Sequence, residues 1–348
     1  MKTRSLPIRT FVFAALLACG LVLTDIATAF AHGKIVVANR ASLSLSVIDV
    51  RTDRIIGTYP LPDNGEPMYV VSSSRRNRVF VGDRANNRVV VFNRRNFRVE
   101  TTVPAGNGVF HMWADPTERQ LWVVNDGDNT ITVIDTKTLA VITTIPTPAD
   151  LVAAGGRPHD VILDPASRFA YVSMIGVPGP DVVVQYSTAT FSEVGRTEVG
   201  EDPHLSLARQ DHLLYVPCQN TSNVFVLDRD TLELVVPPLG IPGAHGAGMA
   251  RNGKRFYTTN ISGGGIGGLV AIDTETNMVL GATDTGMPPI PTPHNIALTP
   301  SGRKLYVTHS GATANQVTVY SVRRKNDVPV FVGSITVGLN PFGLAYVH

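Results

Sequence analysis

PHNIALTPSGRKLYVTHSGATANQVTVYSVRRKNDVPVFVGSITV, residues 293–337, is the stretch that decides the fold. Runs rich in Val, Ile, Tyr and Thr at 295–299, 304–308, 316–321 and 330–337 alternate with Gly, Pro, Asn and Asp, the pattern of four short strands separated by turns. The chain repeats this unit. Aligned segments open at Pro67, Phe110, Pro158, Pro203, Ala244, Pro293 and Pro341, 41–49 residues apart. That period is the length of a four-stranded propeller blade. Residues 341–348 read as a first strand that then stops, and 34–39 read as a second strand with no first. Pairing them completes a blade. The sequence therefore predicts an all-β, seven-bladed β-propeller of four-stranded blades, closed by its own termini. Closure protects strand edges that would otherwise invite aggregation. No convincing amphipathic helix follows residue 31.

Within these units, Leu-Tyr-Val-Thr-His (305–309), Leu-Trp-Val-Val-Asn (121–125), Phe-Tyr-Thr-Thr-Asn (256–260) and Leu-Tyr-Val-Pro-Cys (214–218) resemble the YVTN repeat. Thr-Val-Ile-Asp-Thr-Lys-Thr (132–138) and Val-Ala-Ile-Asp-Thr-Glu-Thr (270–276) are similar to that repeat's third strand and turn. The resemblance spans residues 33–348. It implies the propeller fold but no single activity, because such propellers host binding proteins and several chemistries.

Residues 1–31 read as a secretory signal peptide. Lys2, Arg4 and Arg9 form the positive start, residues 11–23 the apolar core, and Ala29-Phe30-Ala31 a cleavage site, with Ala27-Thr28-Ala29 as the rival. The core is too short to span a bilayer. Export is expected, to a bacterial periplasm, leaving a single propeller domain over 32–348. Leu16-Leu17-Ala18-Cys19 is a loose lipobox, but the apolar core runs on past Cys19, which disfavours anchoring there. Cleavage takes three basic and one acidic residue from totals of 30 and 28, leaving 27 of each. A formally neutral chain argues against nucleic-acid or anionic-membrane partners. Only Cys218 then remains as a thiol, so no internal disulfide forms, and Cys218 is either buried and inert or a ligand. A monomer is expected.

Five histidines recur at one register: His111, His159, His204, His245 and His294, spaced 48, 45, 41 and 49 residues apart. Three follow proline directly. The innermost strand of a blade rims the channel, so histidines at its start converge on one mouth. The residue 14 or 15 positions later ends the second strand, beside the first. This brings Met174, Cys218 and His309 behind the arc, with Met68 and Phe342 closing the ring.

Imidazole suits copper, zinc and iron, while thiolate favours copper. Few carboxylates lie close in sequence (Asp83 and Asp160), which argues against calcium or magnesium. The expected ligands are His111, His159, His204, His245 and His294, with His309 and Cys218 adding to or tuning them. Copper is favoured, with zinc or iron as alternatives. The competing account of any one such histidine is a hydrogen-bonding group at the channel rim. Nitrous-oxide reductase and thiocyanate dehydrogenase hold copper among channel-facing histidines of propellers, and this chain is similar in that feature alone. It lacks their length and any cupredoxin domain, so their reactions do not transfer.

The leading functional expectation is an exported propeller that binds a transition metal and is, if it is an enzyme, a metal-dependent oxidoreductase acting on a small molecule. The alternatives are a non-catalytic scaffold for cell-envelope proteins and a metal-assisted lyase or lactonase. A mature N-terminal His32 would form a second chelating position, with His348 near the opposite mouth. His212 reads as a solvent-facing turn residue. Residues 263–268 are glycine-rich but lack the Lys-Ser/Thr of a phosphate loop. No Gly-x-Ser-x-Gly elbow or Cys-x-x-Cys-His haem motif occurs.

Overall fold

The computed structural model describes residues 33–207, 212–322 and 328–348. The segment read as a signal peptide, with Cys19, and His32 lie outside them. Among the described residues the strands form seven four-stranded antiparallel sheets. Blade 1 joins the two ends of the domain: Pro341–Val347 is its innermost strand, followed by Lys34–Asn39, Ser44–Asp49 and Arg54–Pro60. Lys34 pairs with Val347 and Asn39 with Pro341. Blades 2, 3 and 4 begin with Pro67–Ser73, Val109–Ala114 and Arg157–Leu163. Blades 5, 6 and 7 begin with Ser206–Leu207, Ala244–Met249 and Pro293–Leu298. The blade count, the closing strand and the four strands of blade 7 are as expected. One short helix, Ala149–Ala153, bridges blades 3 and 4.

Burial follows radial position. Second and third strands are almost wholly buried, whereas fourth strands such as Glu193–Glu198 are mostly exposed. The core lies between blades. Trp122, Val124, Ile131 and Val133 of blade 3 pack on Val161, Leu163, Val172 and Met174 of blade 4. At the closing seam, Ile35, Val37 and Ile48 pack on Tyr306, Val317 and Val319. Each such buried side chain is worth about 1.5–3 kcal/mol relative to exposure.

The turns explain the recurring Ile-Asp-Thr. Asp49, Asp135, Asp228 and Asp273 each end a third strand and accept hydrogen bonds from the backbone N–H groups two and three residues on. A short carboxylate mimics a backbone turn and frees the chain to reverse.

One irregularity positions the site. In six blades the innermost strand carries a bulge two residues long near its start. In blade 4, for example, Pro158 pairs with Met174 but the next pair is Val161 with Val172. A bulge breaks the alternation of faces and re-aims side chains. Two consecutive residues can then serve the channel mouth. Blade 5 is the exception: Pro203 pairs with Cys218 and Ser206 with Tyr215, with no extra residue.

Candidate functional site

Seen in order around the mouth, the bulged pairs are Met68-Tyr69, Phe110-His111, His159-Asp160, His245-Gly246, His294-Asn295 and Phe342-Gly343, with His204 at the corresponding place in the unbulged blade 5. His111 is thus offset by one residue from the other four histidines, because Val109, not Phe110, pairs with Asn125. The bulge nevertheless carries its ring to the same place.

The five imidazoles form a continuous arc. Ring centroids are 5.4 Å apart for His111–His159, 4.9 Å for His159–His204, 3.8 Å for His204–His245 and 4.5 Å for His245–His294. His111 also reaches His204 across an intervening blade at 5.8 Å. His111, His159 and His204 each offer a ring nitrogen within 4.8 Å of the others. Convergence across skipped blades means that the arc lies near the axis.

Tautomers divide the arc. His111 Nδ1 is 2.6 Å from Asp160 Oδ1, and His245 Nδ1 donates to Gln219 Oε1 at 2.7 Å. With the proton held on Nδ1, the Nε2 lone pair points free. The Nε2 atoms of His111, His159, His204 and His245 are all buried without a hydrogen-bond partner. His294 is turned the other way: Asn295 Nδ2 donates to its Nδ1 at 2.7 Å. A hydrogen bond to the Phe342 backbone engages its proton.

Burial keeps these rings neutral. Desolvation is the leading cause for all five, lowering His111, His159 and His245 well below the usual imidazole value and taking His204 and His294 to about 3. Two carboxylates stand among them. Asp160 Oδ2 lies 4.0 Å from His204 Nδ1 and accepts the Leu205 N–H. Asp202 Oδ1 lies 3.6 Å from His159 Nε2 and 3.9 Å from His204 Nε2. Burial raises the Asp160 carboxyl, opposed by the neighbouring imidazoles. The imidazole half is therefore a buried cluster of ring nitrogens flanked by two carboxyl groups, a donor set that suits a divalent cation.

The other half of the mouth is aromatic. Tyr69 packs on His111 at 3.6 Å and edge-on to Phe110 and Phe342 at 5.6 and 5.5 Å. Its hydroxyl accepts from Asn295 Nδ2 of blade 7 at 3.2 Å. Phe342 lies 4.2 Å from His294. Phe342 closes the ring as expected, but its companion is Tyr69 rather than Met68.

The family described as "Lactonase, 7-bladed beta-propeller" matches residues 57–236, just over half of the chain. The chain belongs to that lactonase family. No curated protein matches it. Solved structures similar in fold include a proposed 6-phosphogluconolactonase from Bacteroides fragilis, at 17% identity and TM-score 0.72 over 93% of this chain and 100% of that one. Another, from Bacteroides uniformis, has 16% identity and TM-score 0.71 over 90% and 99%. Kuenenia stuttgartiensis hydrazine synthase has 15% identity and TM-score 0.65 over 80% and 89%. At these identities the likeness is one of fold.

Two expected ligands of this lactonase-family propeller face elsewhere. His309 Nδ1 donates to the Pro291 carbonyl at 2.7 Å, and its Nε2 pairs with Thr318 Oγ1 at 2.9 Å, so neither nitrogen is free. Cys218 packs among Val199, Leu205, Leu214 and Val216, and its thiol donates to the Val216 carbonyl. Burial pushes that thiol strongly up, against thiolate formation. The reason is positional. The last residue of a second strand points sideways to the third: Asn39 bonds Ser44 and Ser46, and Asn125 bonds Thr130 and Thr132. His309 is the same latch in blade 7. Met174 likewise lies in the inter-blade core.

Tyr69, Phe110, Asn295, Gln219 and Asp202 were not anticipated. Asp202 had a sequence signal, in Asp-Pro-His. The others depend on the bulge or on a neighbouring blade.

Proposed function

We propose that this protein is a metal-assisted hydrolase that opens lactones at the histidine-lined mouth. The observation that carries the metal is the set of four buried, unpartnered Nε2 atoms. Nδ1 hydrogen bonds to Asp160 and Gln219 fix two of these rings with the lone pair forward, the arrangement that metal-binding histidines favour. Membership of the lactonase family supports the substrate class.

His111, His159 and His204 would hold the ion, with His245 beside them. Three imidazoles leave coordination positions open for water and substrate. A bound divalent ion would lower the pKa of its water and polarise an ester carbonyl. The site would favour addition of water to the acyl carbon with cleavage of the ring C–O bond, the water's proton passing to the leaving alkoxide. Asp160 and Asp202 offset the cation's charge. With Cys218 and His309 engaged elsewhere, the donor set is all imidazole, which accepts zinc, copper or iron.

The test pairs elemental analysis with lactone hydrolysis before and after chelation. Stoichiometric metal, loss of turnover on chelation and recovery on readdition are expected. His111→Ala and His204→Ala should each lower metal content about tenfold or more while the circular dichroism spectrum is retained. Metal-free protein that hydrolyses lactones, or unchanged metal loading in both variants, overturns the proposal.

A further inference from the structure

The aromatic half of the mouth has its own chemistry. Phe110 and Phe342 are partly exposed, and Tyr69 is buried beneath them. Their centroids are 6.0 Å apart at 62°. A ring sandwiched between two faces would need about 7 Å, twice the ~3.5 Å contact of carbon atoms. A ligand therefore lies across the exposed edges and faces rather than between them.

The charges beside these rings are already matched. The Arg84 guanidinium stands over Phe110 at 5.6 Å, paired with Asp126 at 2.8 Å and donating to the Gly108 carbonyl. Arg40 stands over Phe342 at 5.3 Å and is paired with Glu66. Across the mouth lie neutral imidazoles, Asp160 and Asp202. An anionic ligand would find no unmatched positive charge there: Arg40 and Arg84 are paired, and Asp160 and Asp202 balance a cation held by the imidazoles. Withholding a partner from a charged group discriminates against a class of ligand just as contacts select one.

We propose that Tyr69, Phe110 and Phe342 form a subsite for a flat, uncharged portion of the ligand, so that the preferred lactones are neutral and carry a fused aryl or similar planar group. The proposal rests on the hydrolase reading for turnover but not for binding. Aromatic stacking at the phenyl rings would seat the planar group, placing its carbonyl toward the imidazoles 4–5 Å away.

Two measurements test this. Calorimetry with 3,4-dihydroquinolin-2-one, the hydrolysis-resistant lactam counterpart of dihydrocoumarin, reads binding alone. Turnover of dihydrocoumarin is then compared with that of 6-phosphogluconolactone. The lactam should bind, and Phe110→Ala and Phe342→Ala should each weaken it about tenfold. Phe110→Leu and Phe342→Leu keep apolar volume should the alanine variants misfold, and should weaken binding several-fold. Dihydrocoumarin should exceed the phosphorylated lactone at least tenfold in kcat/KM. Failure of folded protein to bind the lactam, or preference for the phosphorylated lactone, overturns the proposal. Lactam binding that depends on both phenyl rings, without turnover of any lactone, supports the subsite and refutes the hydrolase reading.

Discussion

His111 Nδ1 and Asp160 Oδ1 stand 2.6 Å apart across the junction of blades 3 and 4. Both residues owe their direction to the bulge: each is the second residue of its pair, and an unbroken strand would have turned it away. Asp160 also accepts the N–H groups of Val161 and Leu205, so one carboxylate ties blades 4 and 5 together while orienting an imidazole of blade 3. Asp160→Asn keeps the shape and removes the charge. It should lower metal affinity 10–100-fold, the range for loss of an outer partner to a ligating histidine. Competition titration with a chromophoric chelator measures this. Unaltered affinity would mean that the carboxylate does not orient His111 toward an ion.

Stability should depend on pH through the buried imidazoles. Folded His204 and His294 titrate at about 3 and His309 at about 4, against 6.5 for an exposed imidazole, chiefly from desolvation. Between those limits the unfolded chain binds more protons than the folded one, so stability rises with pH there. It is fully present above 6.5 and is lost as pH falls toward 3. Each imidazole removes up to about 1.4 kcal/mol per pH unit within its window. Chelator-treated protein should show a Tm that is flat above pH 7 and falls steeply from 6 to 4.5. A flat profile across that range would show that the rings are not buried in neutral form.

The latch reading of His309 separates structure from ligation. His309→Asn restores the residue that Asn39 and Asn125 supply in other blades, and can still bond the Thr318 hydroxyl. It should cost about 1 kcal/mol or less. His309→Ala leaves the Pro291 carbonyl and Thr318 hydroxyl unsatisfied, at about 1–3 kcal/mol. Metal content should be unchanged in both and in Cys218→Ser. Denaturant midpoints and elemental analysis together check this; a fall in bound metal for Cys218→Ser would restore the thiol as a ligand.

Period and punctuation made the propeller, its blade count and its closing strand readable in the chain. The histidine arc was readable too, because a ring superposes equivalent positions of distant units. Side-chain direction was not. Period-two alternation allows one channel-facing residue at each strand start, whereas the bulge at Phe110-His111 and His159-Asp160 presents two. His309 and Cys218 failed for a related reason. Adjacency to the first strand was correctly inferred, but neither side chain turns to the mouth: His309 meets Thr318 of the third strand, and the Cys218 thiol donates to the Val216 carbonyl of its own strand. Gln219 and Asn295 act through neighbouring blades, which no local pattern encodes.

The closing strand gives the last prediction. Pro341–Val347 supplies Phe342 to the mouth and buried Val347 to the core between blades 1 and 2. It pairs along Lys34–Asn39, which would otherwise present a bare, buried-type edge of Ile, Val and Ala. Removing 341–348 deletes one wall of the site and opens the ring at once, and an exposed apolar edge templates intermolecular pairing. Truncation after residue 340 should yield aggregated protein or lower Tm by more than about 10 °C, since losing buried Val347 and half-buried Phe342, Leu344 and Tyr346, at up to about 1.5–3 kcal/mol each, takes a large share of a typical total stability of about 5–15 kcal/mol. Removing His348 alone loses only its exposed contacts with Tyr346 and Arg94 and should leave Tm within about 2 °C. Adding the missing strand as a synthetic peptide to freshly refolded 1–340 chain should recover soluble, cooperative unfolding. Were the truncated chain to unfold as cooperatively as the full one, the seam would not be what holds the blades in a ring.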